Sequence, residues 1–208
     1  GGREELMSEA KESMLKSLPA ILVLLFSVIA FTFRSFGQTA ILFMLIPIGF
    51  IGIGWGHAIH GTPIDMPSYF GIVALIGILV NDSIVFIETL NRRLKRGMNY
   101  MEAIYEAGLS RFRPIFLTSL TTIAGLAPLI IANNPDAQQT VPMAIAVAYG
   151  LFVSTFSTLL ILPVLLSLFN DVRRRATKLR TGVMPTAESI ESAVRELEID
   201  AQFAEGSK

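Results

Sequence analysis

Residues 71–90 read GIVALIGILVNDSIVFIETL, an apolar run long enough to cross a bilayer that places Asn81, Asp82 and Ser83 near its middle. A carboxylate at that depth is costly unless it faces a bundle interior, takes up a proton or finds a partner. Asp82 therefore marks this segment as part of a proton or ion pathway, the reading that an intramembrane acid carries by default.

The rest of the chain agrees with a membrane setting. Of its 208 residues 52% are hydrophobic and 16% charged, and the mean hydropathy is +0.57, which sets it apart from ordinary soluble domains. Five segments, Met14–Phe33, Gln38–Ile59, Met66–Leu90, Pro114–Ala132 and Val141–Phe169, can each span a core of about 30 Å at about 1.5 Å per residue. They lack the alternating short strands of a membrane barrel. The expected fold is all-α, a polytopic membrane bundle of five helices: a lead-in helix over 1–13, a membrane domain over 14–175 and a polar tail over 176–208.

The formal net charge is zero, but its distribution is uneven. Of the 17 Lys and Arg, six (Arg92, Arg93, Lys95, Arg96, Arg111, Arg113) lie between the third and fourth segments, and five (Arg173, Arg174, Arg175, Lys178, Arg180) follow the fifth. The connections over 60–67 and 133–142 hold none between the spans. The positive-inside rule places the basic loops and the C-terminus in the cytoplasm, and five spans then put the N-terminus outside. Nothing in GGREELMSEAKE resembles a signal peptide, so the chain is expected to continue a longer protein.

Local signals fill in the spans. Pro19 falls early in the first, and Phe33–Gly37 makes a short turn that pairs the first two as a hairpin. Pro47 predicts a bend in the second span, while Gly52 and Gly56, with Gly49 and Gly54, offer a smooth packing face. Ala146, Gly150 and Ser154, at four-residue spacing, form a matching contact face on the fifth. His57 and His60 share one helical face, where capping or an interfacial role outweighs a two-ligand metal site; no metal is expected. Residues 91–113 read as an amphipathic helix lying at the cytoplasmic interface, with the fourth span starting at Pro114. The acidic tail, with Glu188, Glu191, Glu196, Glu198, Asp200 and Glu205, reads as solvated around a short helix near 187–199.

Asp82, sixteen residues after Met66 and ten before Arg92, lies within a turn or two of the bilayer midplane. Asn81 and Glu88 share a face, and Glu88 is close enough to the basic loop to pair with an Arg. On the fourth span Thr118 and Thr122 line one face with Gly125. Their hydroxyls have two uses: donation to a buried carboxylate, or bonding back to their own helix carbonyls. A dry bundle favours the neutral acid and entering water the carboxylate, so Asp82 is a candidate for reversible protonation or, alternatively, for packing glue.

These residues carry a family resemblance. GIVALIGILVNDSIVFIETLNRRLKRGMNYMEAIYEAGLSRFRPIFLTSLTTIAGLAPLI (71–130) resembles the tenth and eleventh transmembrane helices of resistance-nodulation-division (RND) efflux permeases. FRSF (33–36) and IPIGFIGIGWGH (46–57) are similar to the eighth-to-ninth helix region, and the resemblance runs over residues 1–175. It implies an inner-membrane permease with twelve helices in two parallel repeats, of which this chain holds helices eight to twelve, half of the two-repeat membrane domain. It also implies proton-driven export of drugs or other amphiphiles, with the proton gradient as energy source and no cofactor. Its implied partners are membrane lipid, the N-terminal half of the same permease, two further copies in a homotrimer, a periplasmic adaptor and an outer-membrane channel; no nucleic acid is expected.

In the best-known drug pumps of that family, two aspartates on the fourth helix face a lysine on the tenth and a threonine on the eleventh. Thr118 stands where that threonine would be; Asn81, with Asp82 beside it, stands in the lysine's place. Asn can only hydrogen-bond and Asp82 adds a negative group, which implies a different proton stoichiometry or a divergent branch.

Two other readings remain open: a non-transporting membrane scaffold or partner subunit, in which the polar groups glue helices together, and a protein- or lipid-export member of the same superfamily. There is no cysteine, no Gly-rich phosphate loop and no nucleophile with a base at usable spacing, so an enzyme is not expected.

Overall fold

Helix boundaries fall where the backbone loses a donor or needs a positive φ. The computed structural model describes residues 2–132 and 138–206, and those residues form helices and connecting turns. Helix α1 (Gly2–Phe33) carries the lead-in straight into the first span. Arg34 (φ 49°) turns the chain, and Ser35 Oγ accepts the Gln38 N–H at 3.4 Å to start α2 (Phe36–Met44). At Leu45 the helix breaks, just before Pro47 withholds an N–H, and resumes as α3 (Ile46–His60).

Helix α4 (Met66–Lys95) opens on a reciprocal cap: the Ser68 hydroxyl donates to Asp65 Oδ1 at 3.1 Å and accepts the Asp65 N–H at 3.3 Å. Gly97 (φ 79°) closes the turn that follows it. Asn99 then caps α5 (Tyr100–Ile131) by accepting the Met101 N–H.

Here the structure corrects the expected interfacial connector. Residues 91–95 finish α4 and residues 100–113 begin α5, which runs unbroken through Pro114. No glycine stands between Leu109 and Thr118 to stop the helix, and a proline within a membrane helix is tolerated when neighbouring groups satisfy the freed carbonyl.

The last span is α6 (Val141–Phe156), a π turn (Ser157–Ile161) and α7 (Leu162–Thr181) in one continuous rod. Pro163 cannot donate to the carbonyl of Leu159. The ladder widens one turn earlier, with the Leu162 N–H reaching back five residues to the Ser157 carbonyl. Five helical stretches, Lys16–Phe33, Phe36–His60, Met66–Lys95, Tyr100–Ile131 and Val141–Thr181, are long and apolar enough to cross a membrane.

Helix α6 packs against α3, α4 and α5. Small residues permit this. Gly52 lies against the Tyr149 carbonyl, Gly56 against the Tyr149 ring and Gly150 against Leu75. A methyl group at Gly49 would stand 2.7 Å from Ser154 Oγ, and one at Gly71 would stand 2.9 Å from the Ala146 methyl. Leu42, Leu45, Leu79, Phe86, Leu90, Leu162 and Leu166 fill the main apolar cluster.

The tail is the second correction. After Thr181 the chain folds back, buries Ile190 and Ala193 and continues as α8 (Ser192–Gly206). Glu191 is only 4% exposed; its carboxylate accepts from the Gln38 amide of α2 at 3.2 Å and from the Asn170 amide of α7. Gln38 and Asn91 exchange amide hydrogen bonds at 3.0 and 3.1 Å. The tail thus docks on the basic end of the bundle instead of lying in solvent, because its apolar residues meet a surface that also supplies donors to its acid. The side chains of Glu198 and Glu205, and residues 133–137 of the predicted 133–142 loop, lie outside the described residues.

Candidate functional site

The buried stripe of α4 runs through Leu75, Leu79, Ser83, Phe86 and Leu90, at helical spacing. It fixes the orientation of the polar triplet. Ser83 belongs to the stripe and is fully buried, with no hydrogen-bond partner for its Oγ among the described residues. Asp82, one residue back and so about 100° around the helix, is half-buried, and Asn81, a further step on, is exposed. Three consecutive polar residues therefore face the bundle, its flank and its outside.

Helix α5 sorts its hydroxyls in the same way. Thr118 Oγ1 donates to the Pro114 carbonyl and Thr122 Oγ1 to the Thr118 carbonyl, both at 2.8 Å. Thr118 is exposed and Thr122 half-buried, and no hydrogen bond joins either to Asp82 among the described residues. Both are bonds back to carbonyls of their own helix, the second of the two uses open to these hydroxyls.

The inward hydroxyl of α5 is Ser119, which is buried, with its Oγ 2.6 Å from Thr155 Oγ1 of α6. Thr155 also reaches the Leu151 carbonyl at 2.7 Å. This pair was not singled out from the sequence; the run Thr118–Thr122 shows that hydroxyls are present, but only the orientation of α5 decides which of them faces α6.

Glu88 accepts from Arg92 at 2.7 Å, one turn further on. The two histidines have separate partners: His57 Nδ1 lies 3.1 Å from the Thr62 carbonyl and His60 Nε2 lies 3.1 Å from Tyr149 Oη. His57 thus helps close α3, and His60 ties its end to α6.

Five helices of span length, with an acid placed midway along one and buried hydroxyls on its neighbours, define a polytopic membrane-helix bundle as the class of protein. The chain belongs to the AcrB/AcrD/AcrF family of RND permeases, whose family model matches residues 1–170. It is similar to a heavy metal efflux pump solved by X-ray crystallography in two crystal forms. In crystal form II the identity is 28% and the TM-score 0.72, over 80% of this chain and 17% of the pump. In crystal form I the identity is again 28% and the TM-score 0.70, over 81% of this chain and 17% of the pump. The chain therefore spans about a sixth of the length of those pumps.

Proposed function

We propose that this chain is the C-terminal membrane part of a proton-coupled RND-type exporter, with Asp82 as the group that takes up and releases the coupling proton. The observation that carries the reading is the half-buried position of Asp82 midway along α4, on the flank of a helix whose inner stripe is fully packed. There the acid can be covered or wetted by small movements without disturbing the core, as reversible protonation requires. Asn81 on α4 and Thr118 and Thr122 on α5, exposed or half-buried, are the polar groups offered to the same pathway when a further helix layer covers it. Each proton taken up favours one packing of the helices, and the change passes along α1 to whatever precedes it.

In this reading the protein resides in a bacterial inner membrane, with the basic end of the bundle and the C-terminus cytoplasmic. It works as a trimer with the N-terminal half of the same permease, and its cargo is a drug or another amphiphile. A metal ion is the second cargo reading, favoured by the similarity to the heavy metal efflux pump.

The test is export by the full-length protein, reconstituted with an imposed pH gradient and offered an amphiphilic dye or a heavy-metal ion. Asp82→Asn should abolish pH-driven export of whichever cargo is carried, while membrane insertion stays normal. Unchanged export by the variant would remove Asp82 from the mechanism.

A further inference from the structure

At the basic end of the bundle a cavity of about 450 Å³ opens between the α1–α2 turn, α7 and the docked tail. Its volume is in the range of small-molecule sites. Arg34 comes from the turn, Arg173 from α7 and Arg195 from α8, so three elements far apart in sequence each contribute a guanidinium. Arg34 is held by Glu196 at 2.9 Å, and the same carboxylate also holds Lys95 at 2.7 Å. Arg173 and Arg195 have no ion-pair partner among the described residues. Arg173 lies over the Phe169 ring, 5.7 Å from its centroid, which fixes a planar donor fork at the cavity wall. Besides Glu196, the one carboxylate on the lining is Asp200, so cations outnumber acids.

The apolar part of the same wall points to where the occupant comes from. Phe36, 77% exposed, begins the second span, directly after the turn that ends the first. Gly37 beside it has no side chain because the Phe169 ring occupies that space. An anion entering here lies level with the end of the spans, next to an exposed apolar ring that acyl chains can cover.

We infer that this cavity takes the phosphate headgroup of an anionic phospholipid of the phosphatidylglycerol type from the leaflet on that side. One wall belongs to the tail, so lipid binding and tail docking are linked: each stabilises the other. The inference stands independently of the proton-relay reading, since it uses none of the same residues.

The test is native mass spectrometry of the delipidated full-length protein, titrated with phosphatidylglycerol, with phosphatidylcholine, and with inorganic phosphate as competitor. Phosphatidylglycerol should bind saturably and phosphatidylcholine at least about tenfold more weakly. Replacing both Arg173 and Arg195 by alanine should weaken phosphatidylglycerol about 30-fold, as two arginines beside an anionic headgroup imply. Arg195→Glu alone, on an exposed part of α8, keeps the contrast if the double variant does not fold; it should weaken binding about as much. Equal binding of phosphatidylcholine, displacement of the lipid by an equal concentration of inorganic phosphate, or wild-type affinity in a folded variant would each overturn the inference.

Discussion

Ser119 and Thr118 are neighbours on α5, yet one hydroxyl bonds across to α6 and the other back to its own helix. They should respond differently to mutation. Thr155→Val keeps the volume but removes the partner of Ser119, and should lower stability by about 0.6–1.7 kcal/mol, the range of single interhelical hydrogen bonds in membranes. Thr118→Val removes only a back-bond and should cost less than about 0.5 kcal/mol. Denaturant unfolding of the full-length protein in bicelles separates the two. At this scale the sequence was informative about Asp82, because an acid in an apolar run needs no tertiary knowledge to be noticed. It was silent about Ser119 and Glu191, whose burial depends on which residues of distant elements they meet.

Along α3 the glycines divide by the face on which they lie. Gly52 abuts the Tyr149 carbonyl, whereas nothing lies within 4 Å of a methyl group at Gly54. Gly52→Val should therefore push α3 off α6 at a cost of about 1–3 kcal/mol. Gly54→Ala should leave stability unchanged or raise it by up to about 1 kcal/mol. Thermal unfolding of both variants in the same detergent makes the comparison; equal effects would mean that the α3–α6 contact does not limit stability. The five spans were legible as elements because apolar runs of that length have few alternatives. The break at Leu45 was legible from Pro47. The union of residues 100–113 with the fourth span was not, because amphipathic spacing looks the same whether a helix lies on a membrane or leads into it.

For the molecule as a whole, the docked tail is the part most open to pH. The Tyr100 N–H donates to Glu188 at 2.8 Å and holds its carboxyl below the ordinary glutamate value of 4.5. The hydrogen bond from Lys95, aided by Arg34, holds Glu196 low in the same sense. A carboxyl held low in the docked state supplies stability that is fully present above about pH 4.5 and is lost as pH falls through its lowered value. Proteolysis of the tail in native membranes should therefore stay slow at neutral pH and accelerate below about pH 4. A rate that does not change with acidification would separate these carboxylates from docking. The acidic composition of 181–208 hid this behaviour, since the few apolar residues that anchor it, Ile190 and Ala193, are outnumbered by charges.

The wide turn at Ser157–Ile161 has a consequence for how the last rod is indexed. Ala146, Gly150, Ser154, Thr158, Leu162, Leu166 and Asn170 are all buried, a stripe in uniform steps of four. In an unbroken α-helix each such step overshoots a full turn by about 40°, and six would carry the stripe about 240° around the rod. The one surplus residue in the wide turn takes back about 100° of that drift and leaves about 140°, which brings the two ends of the stripe closer in direction than an unbroken helix would. Deleting Leu160, whose side chain is exposed, should then be tolerated: the turn closes to ordinary pitch and the lower half keeps its phase. Deleting Val164, equally exposed but beyond the turn, should rotate Leu166 and Asn170 by about 100° and free the tail that Asn170 holds. A single-residue gap would thus be harmless at one position and disruptive four residues later.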